Sequence, residues 1–227
     1  MAIPGPPMTL DLFDGLSEAL DAARIEPLAD GAAVLRGFAA AAAEDLWLDI
    51  GRVVEAAPLR RMVTPGGLPM SVAMTNCGAR GWVSDRKGYR YDVADPESGR
   101  AWPRMPTAMQ HLAQTAAAVA GFPGFDPDAC LINRYAPGTR LSLHQDRDEQ
   151  DFKHPIVSVS LGLPALFQFG GLKRTDRAMR VPLRHGDVVV WGGPSRLRFH
   201  GVLPLPDGWH PMTGACRVNL TFRRAWA

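Results

Sequence analysis

ACLINRYAPGTRLSLHQDRDE, residues 129–149, is the stretch from which the fold is read. Its first seven residues are β-branched, apolar or aromatic around a single pair of polar positions, and Pro137-Gly138 follows as a turn. Asn133 and Tyr135 stand two apart, so on a strand they share one face. His144 and Asp146 repeat that spacing and can present an imidazole and a carboxylate to the same side of an extended chain.

The same texture continues outward after Pro127. Short β-rich runs at residues 156–161, 166–169, 187–191 and 216–223 are punctuated by Gly and Pro, which predicts a sandwich or barrel. Residues 31–38 read as an earlier strand. Two helices precede the β region. In 39–57, Leu46, Ile50, Val53, Val54 and Ala57 fall on one face, with Glu44 and Asp45 in the first turn and Pro58 beyond the end. In 106–120 the stripe is Met109, Leu112, Ala113, Ala116 and Val119, stopped by Gly121. Helices first and strands afterwards predict an α+β fold, a jelly-roll (double-stranded β-helix) core with helices buttressing one sheet.

The expected organisation is an N-terminal arm over 1–30, with a short helix around 17–23, and a single catalytic domain over 31–227. Within it, 128–227 forms the jelly-roll core. Residues 60–105 are less regular and too long for a connector, so they are expected to be a lid over a site.

With 227 residues and 46% hydrophobic content, one domain can bury a substantial core. The net charge of +2 excludes a protein that binds polyanions through a global positive field, so nucleic-acid contact must come from local patches. One such run is Lys173, Arg174, Arg177, Arg180 and Arg184 against Asp176; a solvated hairpin explains that run alone nearly as well. Around Trp82, Tyr89 and Tyr91, the cations Arg80, Arg86, Lys87 and Arg90 interleave with aromatics, as in single-strand binders. Three widely spaced cysteines, Cys77, Cys130 and Cys216, fit a reducing compartment. The first residues resemble no secretory signal, and no apolar run reaches membrane-spanning length. A cytoplasmic protein with no membrane association is expected.

His200 lies alone in an apolar strand-like region. A lone histidine is more often a satisfied core residue, and an H-x-D triplet is by itself a weak signal. Together, however, two imidazoles and one carboxylate form the donor set that leaves half of an octahedral ion's positions open, the arrangement of non-heme Fe(II) oxygenases. Arg217, Asn219 and Arg223 share one strand face, with Leu220 and Phe222 on the other. A buried arginine there calls for an anion, and Asn133 and Tyr135 offer hydrogen bonds beside it.

The segments MVTPGGLPMSVAMTNCG (62–78), CLINRYAPGTRLSLHQDRDE (130–149), PIVSVSLGLPALFQFGG (155–171), HGDVVVWGG (185–193) and CRVNLTFR (216–223) resemble the bacterial AlkB family of Fe(II)- and 2-oxoglutarate-dependent nucleic-acid dealkylating oxygenases. The resemblance spans residues 31–223. It implies that His144, Asp146 and His200 hold Fe(II), and that Arg223 grips the distal carboxylate of 2-oxoglutarate, assisted by Asn133 and Tyr135. Arg217 and Asn219 would lie near the chelating end. It makes 60–105 a nucleotide-recognition lid. Trp82 would stack on an extruded base with His144 on its other face, Tyr89 would hold phosphate, and Asp148 would favour a cationic methylated ring. Met70 and Arg174 would complete the substrate wall. Leu68 stands where the family carries an aromatic residue. The implied reaction is oxidative demethylation of bases of the 1-methyladenine or 3-methylcytosine type with O₂, in alkylated DNA, single strands favoured, and in RNA, by a monomer. Two other readings share these residues: an oxygenase acting on a protein or small molecule, and a non-catalytic binder of alkylated strands.

Overall fold

The computed structural model describes residues 24–150 and 152–226. In chain order its elements are β1 (Arg24–Ala29), β2 (Ala32–Arg36), α1 (Ala43–Ala56), β3 (Ala73–Gly78), β4 (Gly81–Asp85), β5 (Gly88–Asp92), α2 (Thr107–Val119), β6 (Ala129–Tyr135), β7 (Leu141–His144), β8 (Ile156–Gly162), β9 (Ala165–Phe169), β10 (Met179–Leu183), β11 (Val188–Trp191), β12 (His200–Val202) and β13 (Arg217–Arg223). Seven strands make a major sheet in the order β1-β2-β11-β8-β13-β6-β3, and four make a minor sheet, β10-β9-β12-β7. A separate hairpin pairs β4 with β5. Each of these neighbouring pairs runs antiparallel.

Period two sorts the major sheet into two buried faces. From β6, β8 and β13 the residues Ile132, Val157, Val159, Leu220 and Phe222 point to one side, where they meet Leu46, Ile50 and Val53 of α1 and Met109, Ala113 and Ala116 of α2. The alanines of α2 let the helix lie close to the sheet. On the other side, Leu131, Tyr135, Ile156 and Trp191 face Phe167, Phe169, Val181 and Val202 of the minor sheet. Because both faces are covered, β8 and β13 are buried along their whole length. A helix-facing aliphatic at full burial contributes about 1.5–3 kcal/mol, so this side carries much of the stability.

Local signals explain the helix limits. Glu44 and Asp45 sit in the first turn of α1, where the dipole favours negative charge. Gly121, at φ 91°, follows the C-terminal end of α2 in a conformation glycine takes without strain. In the β1–β2 turn, Gly31 at φ 70° is also required sterically, since a Cβ there would meet the Gly192 carbonyl oxygen at 2.5 Å.

The jelly-roll and its two buttressing helices match the expectation from sequence, while several boundaries move. The helices begin four residues and one residue later than anticipated. Residues 24–29, expected in a loose arm, form β1 and pair with β2 from Arg24↔Arg36 to Ala29↔Ala32. The helix anticipated around 17–23 lies outside the described residues. The 60–105 segment is not all lid, because β3 is the far edge of the major sheet, in register with β6 from Ala73↔Arg134 to Gly78↔Ala129. Strand β10 was not anticipated, and β7 and β12, read only as extended chain at His144 and a strand-like region at His200, were given no bounds. At three to five residues, with Pro182 in β10 and Gly201 in β12, they are too short for periodicity to separate them from loop.

Candidate metal and cosubstrate site

The open end between the two sheets is a cavity of about 670 Å³. The thirteen residues to which the sequence assigned a metal, cosubstrate or substrate role line it: Met70, Trp82, Tyr89, Asn133, Tyr135, His144, Asp146, Asp148, Arg174, His200, Arg217, Asn219 and Arg223. Strand pairing does the assembling. His144 ends β7, His200 starts β12, and the two are direct partners across the minor sheet. Their ring centroids are 4.3 Å apart.

Asp146 completes the cluster from the loop after β7. Its carboxylate oxygens lie 3.6 Å from Nε2 of His144 and 3.7 Å from Nε2 of His200. One donor atom from each residue falls within 4.8 Å of the other two. Nδ1 of His144 lies 2.9 Å from the Ser142 carbonyl oxygen, and Nδ1 of His200 3.1 Å from that of Arg198. A carbonyl only accepts, so each Nδ1 carries the proton and each Nε2 keeps a lone pair toward the centre. Among the described residues this is the one such group, and its chemistry fits an iron with open positions.

The electrostatics hold the donors in their binding forms. Burial pushes the His200 imidazole down to about 3, with His144 adding to the effect, so it is neutral at pH 7. For Asp146 burial alone would raise the pKa, but the Arg223 guanidinium, then the two imidazoles and Arg196, hold the carboxyl well below the usual carboxylate range. Arg223 donates through Nε and Nη2 to Oδ2 of Asp146 at 2.9 and 2.6 Å.

The two arginines of β13 therefore differ. Arg223 is already engaged at the metal end. Arg217, 1% exposed, donates through Nη2 to Ser160 Oγ at 3.0 Å and stacks 5.0 Å over the Tyr135 ring. Its Nε and Nη1 are buried without a partner, as is Oδ1 of Asn133. Burial pushes the Arg217 pKa down, against Tyr135, which raises it. A guanidinium with two uncommitted donors facing a cavity is a receptor for a carboxylate. The resemblance implies Arg223 as the distal clamp and Arg217 by the chelating end; in the structure the uncommitted donors are on Arg217, and Arg223 is bonded to Asp146. Asn219 is engaged with Ser158 Oγ and the Val159 carbonyl, at 2.8 and 2.9 Å.

The β4–β5 hairpin forms the cavity's outer wall. Trp82 is held by its backbone, which exchanges two hydrogen bonds with the buried Asn76 amide. Its indole N–H donates to Asp148 Oδ2 at 2.7 Å, and its ring stacks on Tyr89 at 5.7 Å. Arg174 reaches the mouth, where Nη1 donates to the Leu143 carbonyl at 2.8 Å. Leu68 is 70% exposed and does not line the cavity. The basic patch around Trp82 is smaller than the sequence count: Arg80 lies over Trp226 at 3.8 Å, and Arg90 pairs with Asp85 and Asp92. Arg86 and Lys87 remain exposed, as do Lys173, Arg177, Arg180 and Arg184 near the minor sheet.

Sequence reasoning missed Glu149 and Arg196, and gave Tyr91 no role beyond its place in an aromatic run. Glu149 sits in an acidic loop that reads as solvated, yet its side chain is only 1% exposed and contacts both Arg196 and Arg223. The period-two continuation from Tyr89 to Tyr91 was the one local hint that Tyr91 faces inward.

Comparison with known proteins gives a consistent picture. A family model described as the 2OG-Fe(II) oxygenase superfamily matches residues 31–223. The chain is 62% identical over 200 residues to the alpha-ketoglutarate-dependent dioxygenase AlkB of Escherichia coli, covering 88% of this chain and 93% of that protein. It is 35% identical over 130 residues to the mouse nucleic acid dioxygenase ALKBH1, covering 56% of this chain and 33% of that one. The solved structure of OsALKBH1 superposes with a TM-score of 0.77 at 28% identity, over 88% of this chain and all of that one. Among the described residues no helix is long and apolar enough to cross a membrane.

Proposed function

Because this chain belongs to the AlkB family of the 2OG-Fe(II) oxygenase superfamily, we propose that its cavity demethylates bases of the 1-methyladenine and 3-methylcytosine type. The chain is a 2-oxoglutarate- and Fe(II)-dependent dioxygenase that oxidatively dealkylates nucleic-acid bases. When bound, Fe(II), 2-oxoglutarate and O₂ supply the oxidising power to hydroxylate an N-methyl carbon, yielding succinate, CO₂ and formaldehyde.

The observation that carries the site assignment is the pair of unpartnered Arg217 donors facing the cavity that the three-donor cluster opens into. His144, Asp146 and His200 hold the iron. Arg217, helped by Tyr135 and Asn133, binds the distal carboxylate of 2-oxoglutarate, while Arg223 and Asn219 stay at the metal end. β13 sets both guanidiniums along one strand, with Arg217 at its start and Arg223 at its end. Donors held in place by the sheet need little reorganisation, and this is the protein's main contribution to positioning.

The base lies between Trp82 and His144, with Asp148 stabilising the positive charge of a methylated ring. Met70 and Arg174 wall the pocket, and Tyr89 meets the neighbouring phosphate. A methylated Watson–Crick edge cannot pair normally, so its extrusion costs less than that of an intact base. Single-stranded DNA is the favoured form and RNA a second substrate, because stacking and phosphate contact suffice for both. The protein acts in the cytoplasm, a reducing compartment that suits the free thiols Cys77, Cys130 and Cys216, and as a monomer.

Product analysis tests this reading. Supplied with Fe(II), 2-oxoglutarate and a 3-methylcytosine oligonucleotide, the protein should release formaldehyde and restore cytosine. Succinate without any loss of methyl from DNA or RNA would point instead to a protein or small-molecule substrate, and no succinate at all would point to a non-catalytic binder.

A further inference from the structure

One buried carboxylate has no part in the reaction as described. Glu149 lies three residues beyond Asp146, with its side chain 1% exposed, between two arginines. Arg196 Nη2 is 3.1 Å from Oε2, and Arg223 Nε is 3.3 Å from Oε1. Each of those arginines also holds Asp146. Arg196 donates to its backbone carbonyl at 2.9 Å, and Arg223 to its carboxylate. A lone buried carboxylate is costly, and one that bridges two cations fixes both in place.

The same carboxylate reaches the hairpin. Tyr91 donates its hydroxyl to Oε1 of Glu149 at 2.9 Å, and Tyr91 is the cross-strand partner of Trp82. A second bond ties the hairpin to the loop, from the Trp82 indole to Asp148. The loop from Asp146 to Glu149 thus joins the three-donor cluster through its first residue and the stacking hairpin through its last two.

We propose that Glu149 is a positioning residue that locks Arg196 and Arg223 around Asp146 and, through Tyr91, couples the Trp82 hairpin to the metal end. This rests on the placement of iron and base given above. With the network intact, a methyl group is in position when 2-oxoglutarate is cleaved. With it broken, cleavage proceeds while the base is misplaced. Displacement by about 1 Å can cost about 100-fold in such a step.

Two measurements test the coupling, on Tyr91→Phe, which removes one hydroxyl, and on Glu149→Gln, which removes the charge. The first needs no turnover. Amide hydrogen exchange over residues 81–92 is compared with and without Mn(II) plus 2-oxoglutarate. Loading should slow exchange in the wild type and leave it unchanged in either variant. Equal protection of the hairpin in wild type and both variants overturns the proposal.

The second is the ratio of succinate to formaldehyde on a 3-methylcytosine oligonucleotide. Ascorbate is included to supply the two electrons and two protons that reduce an unspent oxygen atom to water. The ratio is near one when each 2-oxoglutarate cleaved removes one methyl group, and it should rise at least about threefold in Tyr91→Phe, a fraction of the loss that misplacement can cause. A wild type that releases formaldehyde, with variants still at unity, defeats this proposal alone. A wild type that releases none defeats the functional reading and this proposal with it.

Discussion

The two faces of the major sheet are equally buried, but the one toward the cavity, apolar where it meets the minor sheet, also carries the polar groups of β6, β8 and β13. Toward the helices, β6, β8 and β13 present Ile132, Val157, Val159, Leu220 and Phe222. Toward the cavity the same strands present Asn133, Ser158, Ser160, Arg217, Asn219, Thr221 and Arg223, each buried. Burial is therefore no guide to purpose here. The first face lowers the free energy of the fold, whereas the second holds polar groups out of water and leaves atoms of Asn133 and Arg217 without partners. Buried polar atoms left unsatisfied in an otherwise tightly paired sheet mark where a ligand belongs.

Substitutions on and around the two faces should separate stability from chemistry. The largest effect is expected at the cavity mouth: His144→Ala removes a donor from a partly exposed position, so formaldehyde release should fall below detection while the melting temperature of the metal-free protein shifts little. Normal turnover would remove the proposed iron site. On the helix face, Leu220→Ala should cost about 2–5 kcal/mol in urea denaturation and leave the 2-oxoglutarate KM in place at low temperature. A raised KM with unchanged stability would invert the comparison.

Arg217→Met sharpens it from the other side. Two lost charge-assisted bonds, at about 1.5 kcal/mol each, correspond to roughly a 100-fold higher 2-oxoglutarate KM. Replacing a buried charge by an apolar chain of similar length should leave stability unchanged or higher. The same KM rise in Arg223→Met, with none in Arg217→Met, would restore the opposite assignment of the two arginines.

The smallest effect is on pH dependence. His200 is held at about 3 against an ordinary 6.5, so the unfolded chain binds a proton that the folded one refuses. Stability of the metal-free protein should therefore decline as pH falls from about 6.5 toward 3, and the depressed Asp146 carboxyl acts in the same direction. The apolar helix face contributes no such slope. Urea midpoints at pH 7 and pH 5 check this, and a His200→Gln variant should show a flatter profile. Equal slopes in the two proteins would locate the proton uptake elsewhere.

Much of this was legible without coordinates. The alternation in 217–223 assigned Leu220 and Phe222 to one side and the two arginines to the other, and the stripes through Leu46, Ile50, Val53 and Met109, Ala113, Ala116 marked both buttressing helices. The local spacing of His144 and Asp146 put them on one face. Less legible were β7, β10 and β12, whose few residues carry no usable period. Glu149 and Tyr91 were hidden for another reason, since an acidic residue in an acidic loop has the same local signature whether it faces water or two arginines.

What the chain determines by itself is whatever depends on neighbours within a turn or a pleat: which residues share a face, where helices start and stop, and which donor types are available. Only the folded molecule decided that His200 pairs with His144 across the minor sheet, that Arg223 rather than Arg217 is taken up by Asp146, and that Glu149 meets Tyr91. Those facts follow from the order and register of strands distant in sequence, and side-chain periodicity, being a local property of the backbone, carries no information about which strand will lie beside which.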